Sequence, residues 1–301
     1  MPKFTETEKQ VLDLFKLNTS FSFEGKKYTI IERDKPRPSK GECKTDVYVK
    51  LRDEDDECRE LKISIKQGNA EFLENKIQYE RAKEILGADV DNILKNSISE
   101  LENNFKQQEL VFFDGHGKTD PHSIKLGWKF EIMNKRGGKL SGALKLNKNQ
   151  VVDVYSGQQL PDEKKNANVN DKMVIGSGVA NYMLCVEETK DLSLNDVVNA
   201  LIPIEKYVEE HPQIYYACKA LNFRSSEDKW DGDRPLSVYV DWTIKEGKLH
   251  GKLNFSEPLK KKANEIGNNL KSMLKKLNIS EENFDDLKEK LHNDVKYYVK
   301  E

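Results

Sequence analysis

The chain of 301 residues is long enough for two average domains, although a single elaborated α/β domain can also reach this length. Hydrophobic residues make up 37% of it and charged residues 34%, a balance that excludes both a disordered chain and a membrane-embedded one. Fifty basic and 52 acidic residues give a net charge of −2, so total charge does not indicate a nucleic-acid partner. The longest uncharged stretch, residues 173–186, is shorter than the roughly 20 residues of a spanning helix, and we expect no membrane segment.

The N-terminal residues and the cysteines favour a cytoplasmic protein. The first ten residues mix acids with bases and lack an apolar stretch, so they fit neither a secretory nor a mitochondrial signal. The four cysteines form no C-x-x-C pair, which argues against a zinc or disulfide framework. We therefore expect four free thiols, at Cys43, Cys58, Cys185 and Cys218.

The first part of the chain alternates helices and strands. Apolar residues at near-helical spacing predict a helix over 5–17, and a β-rich run predicts a strand over 28–32. Residues 34–44 contain two prolines and a glycine and predict an irregular loop. Alternating residues over 46–51 and 60–66 predict a hairpin, which is followed by predicted helices over 70–86 and 90–105 and by a short buried strand over 110–113.

The rest of the chain is predicted to be rich in strands first and in helices later. Strands are predicted over 124–132, 140–146 and 151–155, and a helix over 191–210. A hairpin is predicted over 236–244 and 248–255, followed by helices over 258–277 and 280–299. Alternation along 124–132 places Lys125, Lys129 and Glu131 on the face opposite the apolar residues, where we expect solvent.

The first hairpin brings chemistry-bearing side chains together. If its loop is centred near residue 55 or 56, Asp46 lies opposite Ile65 and is flanked by Ser64 and Lys66. A carboxylate can hold a divalent cation, and a nearby ammonium can orient an attacking water and offset charge that builds on a phosphate. The hairpin therefore predicts a phosphoryl-transfer site at its open end.

At these residues the sequence resembles the PD-(D/E)xK nucleases, and among them the type II restriction endonucleases. The matching residues are Gly41-Glu-Cys-Lys-Thr-Asp46 before the first motif strand and Ile63-Ser-Ile-Lys66 at the end of the second. The resemblance implies an α/β (α+β) fold with a restriction-endonuclease-like αβββαβ core and a mixed sheet over residues 1–114. Residues 115–301 would then be a β-rich and helical elaboration for DNA binding and dimerisation, packed with the core as one unit.

Two versions of the motif lysine are open. Glu60-x-Lys62 matches the literal E-x-K pattern, but the register puts it toward the hairpin loop, away from Asp46. Ser64-x-Lys66 lies beside Asp46 and resembles the S-x-K variant of the family, which implies a carboxylate recruited from the following helix. The fourteenth residue after Lys66 is Glu80, and Glu74 is the alternative. We favour Asp46, Ser64, Lys66 and Glu80, because ligands that share a metal must lie close together.

Two local basic stretches could hold a polyanion. Residues 115–148 contain eight basic and two acidic residues, and residues 258–276 contain six lysines and one acid. The histidines at 211, 250 and 292 are isolated in the sequence, and we expect structural or exposed positions for them. The predicted phosphate contacts come from the first stretch: Lys125, Lys129, Lys135, Arg136 and Lys139.

The resemblance implies a type II restriction endonuclease of a restriction-modification system that cleaves double-stranded DNA with Mg²⁺. Its ligands for Mg²⁺ would be Asp46 with Glu80 or Glu74, and such enzymes are usually homodimers. Two alternatives remain: a non-specific repair or phage-recombination nuclease with the same site, and a DNA-binding protein that performs no chemistry.

Overall fold

The computed structural model describes residues 3–67, 72–74, 77–187 and 192–300. The chain forms two compact units, and each is made of two segments. Unit 1 contains residues 1–71 and 146–213, and unit 2 contains residues 72–145 and 214–301. The predicted division at residue 114 falls inside unit 2 and separates parts of the chain that the structure groups together.

The secondary structure is mixed, with helices and strands throughout both units. The first segment contains α1 (Lys3–Leu14), β1 (Ser20–Phe23), β2 (Lys26–Asp34), β3 (Val47–Asp53) and β4 (Cys58–Gln67). The second contains β5 (Phe72–Glu74), α2 (Tyr79–Leu86), α3 (Val90–Ser99), α4 (Glu102–Lys106), β6 (Val111–Phe112), β7 (Ser123–Met133) and β8 (Ser141–Leu144). The third contains α5 (Lys148–Ser156), α6 (Asp162–Lys165), β9 (Ala167–Val169), β10 (Lys172–Val174), β11 (Tyr182–Val186), α7 (Leu194–Asn199), β12 (Ile202–Pro203) and α8 (Ile204–Glu210). The last contains β13 (Ile214–Arg224), β14 (Lys229–Trp230), β15 (Pro235–Leu236), β16 (Val238–Lys245), β17 (Lys248–Asn254), β18 (Lys261–Lys262), α9 (Ala263–Lys276) and β19 (Tyr297–Tyr298).

Unit 1 is built on a mixed six-stranded sheet with the order β1-β2-β3-β4-β11-β12. Strands β1 to β4 are antiparallel neighbours, and β11 runs parallel to β4. Alternate residues of β3 and β4 face the core, among them Val47, Leu61 and Ile63. Val11 on α1 and Phe15, which directly follows the helix, bury their side chains in the same core. The sheet therefore has one apolar face that packs against α1, and the alternate residues of β3 and β4 point away from this core.

Unit 2 is built on a nine-stranded sheet whose central path is β14-β13-β7-β16-β17. The long strand β7 is buried on both faces, because its side chains pack in both directions along nearly its whole length. Gly127 permits the close approach of β16: a Cβ there would lie 2.4 Å from the Val238 carbonyl oxygen. A larger residue at position 127 would push these two strands apart.

Several predicted elements take a different form. Residues 151–155, predicted as a strand, belong to the helix α5. In the predicted helix 70–86, residues 72–74 form β5 and the helix begins only at Tyr79; residues 70–71 and 75–76 lie outside the described residues. The predicted helix 280–299 contains a 3₁₀ helix over 284–290 and the short strand β19. Strand β6, predicted within the nuclease-like core, pairs with β7 and β19 in unit 2.

Candidate active site

The predicted hairpin forms, and its loop determines which residue of β4 lies opposite each residue of β3. Asp53 fixes the turn: its Oδ1 accepts hydrogen bonds from the backbone N–H groups of Asp55 (3.0 Å) and Glu57 (2.9 Å). Strand pairing then joins Arg52 to Cys58 and Val47 to Ile63. The predicted register would place Val47 opposite Ser64, so it is wrong by one position. The reason is that the loop is centred on residue 55, whereas the predicted pairing requires a centre between residues 55 and 56.

The backbone holds Asp46 at the open end of the hairpin. Its N–H donates to the Ile63 carbonyl oxygen (2.8 Å), and its Oδ2 accepts from the Ile65 N–H (2.7 Å). Ser64 and Lys66 alternate with the core residue Ile63 along β4 and lie on the face of the strand opposite the core. The bond to the Ile65 N–H therefore places the Asp46 carboxylate at the strand position between Ser64 and Lys66.

The loop that leads to Asp46 is anchored within unit 1. The backbone N–H groups of Lys44 (3.0 Å) and Thr45 (3.3 Å) both donate to the Gly178 carbonyl oxygen. Position 178 requires glycine, because a Cβ there would lie 2.1 Å from the Lys164 carbonyl oxygen. A tethered loop keeps the Asp46 carboxylate in a fixed place, as a ligand or catalytic group requires.

The electrostatics of the site concentrate on Asp46. Burial raises the pKa of its carboxyl to about 6, the Ile65 N–H lowers it, and the negative charge of Glu8 raises it further. The ammonium groups of Lys66 and Lys35 lower it. A carboxyl whose pKa is moved toward neutrality by burial and by a second acid is typical of a functional site.

Glu8 and Lys35 complete this cluster, and neither residue was predicted to belong to the site. Glu8 lies on α1 and forms an ion pair with Lys35, with its side chain 19% exposed. The adjacent Thr7 accepts a hydrogen bond from the Gln67 side chain, which ties α1 to the end of β4. The signal in the sequence was weak: residues 7 and 11 form the buried stripe of the helix, and residue 8 borders it.

The charge of Lys66 lowers the pKa of two neighbouring groups, Asp46 and Cys185. Its charge lowers the pKa of Asp46, as described above. The parallel pairing of β4 with β11 places Cys185 beside Lys66, where burial raises the pKa of the thiol and the ammonium lowers it. Ser64, between Ile63 and Ile65, is buried. Strand β4 thus ends with a buried hydroxyl and an ammonium on either side of Ile65, whose N–H binds the Asp46 carboxylate.

The alternative pair Glu60 and Lys62 lies farther along the same strand. Glu60 pairs with Lys50 and Lys62 with Tyr48, in the direction of the loop. The Tyr48 hydroxyl donates to Glu60 Oε1 (2.6 Å), and Lys62 Nζ lies 3.7 Å from Glu60 Oε2. This group is a hydrogen-bonded cluster of its own, which argues for a structural role.

Glu74 and Glu80, the predicted second carboxylates, belong to unit 2, whereas Asp46 belongs to unit 1. Glu74 Oε1 accepts hydrogen bonds from Nε and Nη2 of the buried Arg81, each at 3.2 Å. Glu80 is exposed in the first turn of α2. Within unit 1, the negative charge of the Glu8 carboxylate raises the pKa of Asp46.

The predicted basic strand is only partly exposed. Lys125 is buried, with its Nζ 5.1 Å from the centre of the Phe112 ring and 5.0 Å from that of Trp128, and the expectation that it faces solvent is wrong. The physical reason is that β7 is covered on both faces. Lys129 Nζ lies 2.7 Å from a carboxylate oxygen of the buried Glu131. The exposed members of the predicted set are Lys135, Arg136 and Lys139.

Comparisons with protein-family models, with curated proteins and with solved structures returned no match. Among the helices of the described residues, none is both long and apolar enough to cross a membrane.

Proposed function

We propose that the chain is a Mg²⁺-dependent nuclease whose active site lies at the open end of the β3–β4 hairpin. The observation that carries the proposal is a buried Asp46 carboxylate that is held by the Ile65 N–H and interacts electrostatically with the Glu8 carboxylate and the Lys66 ammonium. Carboxylate oxygens are the ligands that Mg²⁺ prefers, and an ammonium beside them suits a phosphate substrate.

The element order of unit 1 supports the resemblance to PD-(D/E)xK nucleases. If the short elements β1, α6, β9 and β10 are set aside, α1, β2, β3, β4, α5 and β11 occur in the order αβββαβ, with unit 2 residues inserted between β4 and α5. In this arrangement α5 and β11 take the places that the sequence predicted for residues 70–86 and 110–113. The motif residues then lie at the ends of two central strands, where that core would carry its active site.

The donor set suits a divalent cation. The negative charge of Glu8 raises the pKa of Asp46, so the two carboxylates repel each other, and a cation bound by both would relieve that repulsion. When bound, Mg²⁺ would polarise the scissile phosphate and lower the pKa of a water. The ion pair of Lys35 with Glu8 shows that this carboxylate already accepts a cationic partner.

The residues of the chain have separable roles in this proposal. The Ile65 N–H orients the Asp46 carboxylate as a ligand, and Glu8 supplies the second one. Lys66 positions the attacking water and offsets the negative charge that develops on the phosphate. Hydrolysis adds the hydroxyl of water to phosphorus, and the departing ester oxygen takes up the proton as the P–O bond breaks.

The finer assignment is a type II restriction endonuclease that acts on double-stranded DNA, which follows from the family resemblance alone. A homodimer that matches a palindromic site belongs to the same proposal. The two alternatives share parts of it: a non-specific nuclease would keep the active site, and a DNA-binding protein would keep only the basic surface.

One digest separates these three possibilities. The chain is incubated with plasmid and with mixed-sequence linear DNA in the presence of Mg²⁺, beside Asp46→Asn as a matched control. Discrete fragments support the restriction enzyme, a smear supports the non-specific nuclease, and intact DNA contradicts the proposal. Cleavage that persists in Asp46→Asn would assign the activity to a contaminant or to another site.

A further inference from the structure

Two histidines that are isolated in the sequence meet in unit 2. His250 lies on β17, whereas His292 and Asp294 lie in the segment that follows the 3₁₀ helix over 284–290. The backbone fixes this meeting: Leu249 forms a parallel bridge with Leu291, and the His292 N–H donates to the Leu249 carbonyl oxygen (2.9 Å). We name His250, His292 and Asp294 the His–His–Asp cluster.

The three side chains are spaced as ligands of one ion. One ligand atom from each residue lies within 4.8 Å of the other two. Asp294 Oδ2 is 3.3 Å from His292 Nδ1 and 3.8 Å from His250 Nε2. Around a tetrahedral metal with bonds of about 2.0–2.1 Å, ligand atoms lie roughly 3.3 Å apart. A small contraction of the cluster would therefore produce a coordination shell.

The surroundings of the cluster orient its nitrogens. The Thr243 hydroxyl lies 3.5 Å from Nδ1 of His250, on the opposite side of the ring from Nε2, which leaves Nε2 toward Asp294. The Asp294 N–H approaches His292 Nδ1 at 3.4 Å, a long hydrogen bond that a metal bond would outweigh. The imidazoles are 20% and 14% exposed and the carboxylate 64%, so an ion can enter from solvent.

We propose that the His–His–Asp cluster binds Zn²⁺, with water in a fourth position. Two imidazoles and one carboxylate suit a first-row transition ion and disfavour Mg²⁺, which takes oxygen ligands. The cluster belongs to unit 2 and the proposed nuclease centre to unit 1, and the zinc proposal does not depend on the nuclease proposal. Because the ligands come from β17 and from the segment after residue 290, bound Zn²⁺ would tie this segment to the strand and stabilise the folded chain.

Competition with a chromophoric zinc chelator tests the binding. The full chain, freed of metal by chelation and carrying no histidine tag, is titrated with Zn²⁺. The expected result is one Zn²⁺ per chain that depends on the cluster, with affinity reduced at least about tenfold in His250→Asn and in Asp294→Asn. His116→Asn, which alters an exposed histidine of the same unit, should bind as the unaltered chain does.

Thermal unfolding gives the second readout. Zn²⁺ should raise the Tm of the unaltered chain and of His116→Asn and leave that of the cluster variants unchanged, whereas Mg²⁺ should raise none through this site. Asp294 is exposed, so Asp294→Asn decides the matter if His250→Asn folds poorly. Absence of binding, or equal binding in Asp294→Asn and His116→Asn, would overturn the proposal. Equal binding would point to the four cysteines, which all variants share.

Discussion

The Asp46 carboxylate is held where its negative charge is costly. Burial raises its pKa from 3.8 to about 6, a difference on the order of 2–3 kcal/mol at neutral pH. The hydrogen bond from Ile65 and the charges of Lys66 and Lys35 recover only part of that cost. A charged residue that destabilises the folded chain in this way, on a tethered loop and under the influence of a second acid, is typical of a binding or catalytic site.

Asp46→Asn should therefore stabilise the chain in a pH-dependent manner. The folded pKa is raised, so the stability of the protonated form is fully present below pH 3.8 and is lost as the pH rises through about 6. Asparagine keeps an acceptor for the Ile65 N–H and carries no charge. We expect the variant to exceed the unaltered chain by about 1–2 kcal/mol above pH 6 and to match it near pH 4. Urea unfolding at pH 4 to 8 measures this difference, and a difference that is constant with pH would contradict the burial of the carboxylate.

Burial also makes the charge of Lys125 costly, but it shifts the pKa of a lysine downward. Burial lowers the pKa of its ammonium from 10.5 to about 8, although the charge of Glu109 raises it. The folded chain is therefore penalised below pH 8, and the penalty disappears as the pH rises through 10.5. Lys125→Met should gain about 1 kcal/mol at pH 7, since lost cation–π contacts offset part of the gain.

Unfolding of Lys125→Met at pH 7 and pH 10 measures this gain, which should shrink at the higher pH. The DNA affinity should stay unchanged, because a buried ammonium does not reach a phosphate. Weaker DNA binding in this variant, at unchanged stability, would restore Lys125 to the basic surface that the sequence predicted.

Among the elements, α5 shows how end signals override composition. Its residues Val151 to Tyr155 are β-rich, yet Asn147 and Gln150 form a capping box and Gly157 ends the helix in the left-handed region with φ 76°. The Asn147 side chain accepts from the Gln150 N–H at 3.0 Å. Two local signals that flank the segment thus decide its form against the propensity of the residues between them.

Asn147→Ala should remove this cap and destabilise the chain by about 1 kcal/mol, because the Gln150 N–H loses its partner. Asn147→Asp, which keeps the acceptor, is the matched control and should unfold within a few tenths of a kcal/mol of the unaltered chain. Urea unfolding of the two variants provides the comparison. Equal losses in both would show that side-chain packing, and not the cap, holds the start of α5.

The sequence predicted best what neighbouring residues determine. Alternation identified β3, β4 and β7, and the hairpin of β16 and β17, because a pleated strand repeats every two residues. It placed Lys125 in solvent, because alternation cannot tell whether the second face of a strand is covered by distant parts of the chain. Glu8 escaped prediction for the same reason: it lies 38 positions before Asp46, and only the packing of α1 on the sheet relates them.

At the scale of the whole molecule, the chain leaves unit 1 after β4 and returns to it at α5. This interruption explains why the sequence assigned α2 and β6 to the core: they are the next helix and strand along the chain, but not in unit 1. The predicted site residues of the hairpin belong to unit 1, and the exposed bases Lys135, Arg136 and Lys139 belong to unit 2.

Binding to DNA should depend on salt through these exposed bases. Each phosphate contact releases counterions, so affinity should fall as salt rises, and loss of one contact should reduce the slope of log affinity against log salt by about 0.9. We expect that reduction for Lys139→Gln on DNA of any sequence. Lys125→Met, a buried lysine of the same stretch, is the control and should leave the slope unchanged. Fluorescence anisotropy between low and moderate salt measures this slope. A slope of zero in the unaltered chain would contradict phosphate binding by these exposed bases.

The most direct test of the central claim compares two lysines on one face of β4 in the cleavage assay with Mg²⁺. Lys66 acts on Asp46, whereas Lys62 pairs with Glu60 nearer the loop. Lys66→Ala should lose at least about 100-fold in cleavage rate and retain its DNA binding, and Lys62→Ala should cut at nearly the full rate. An inactive Lys62→Ala beside an active Lys66→Ala, or equal rates in both, would contradict the assignment of the site to Asp46, Glu8 and Lys66.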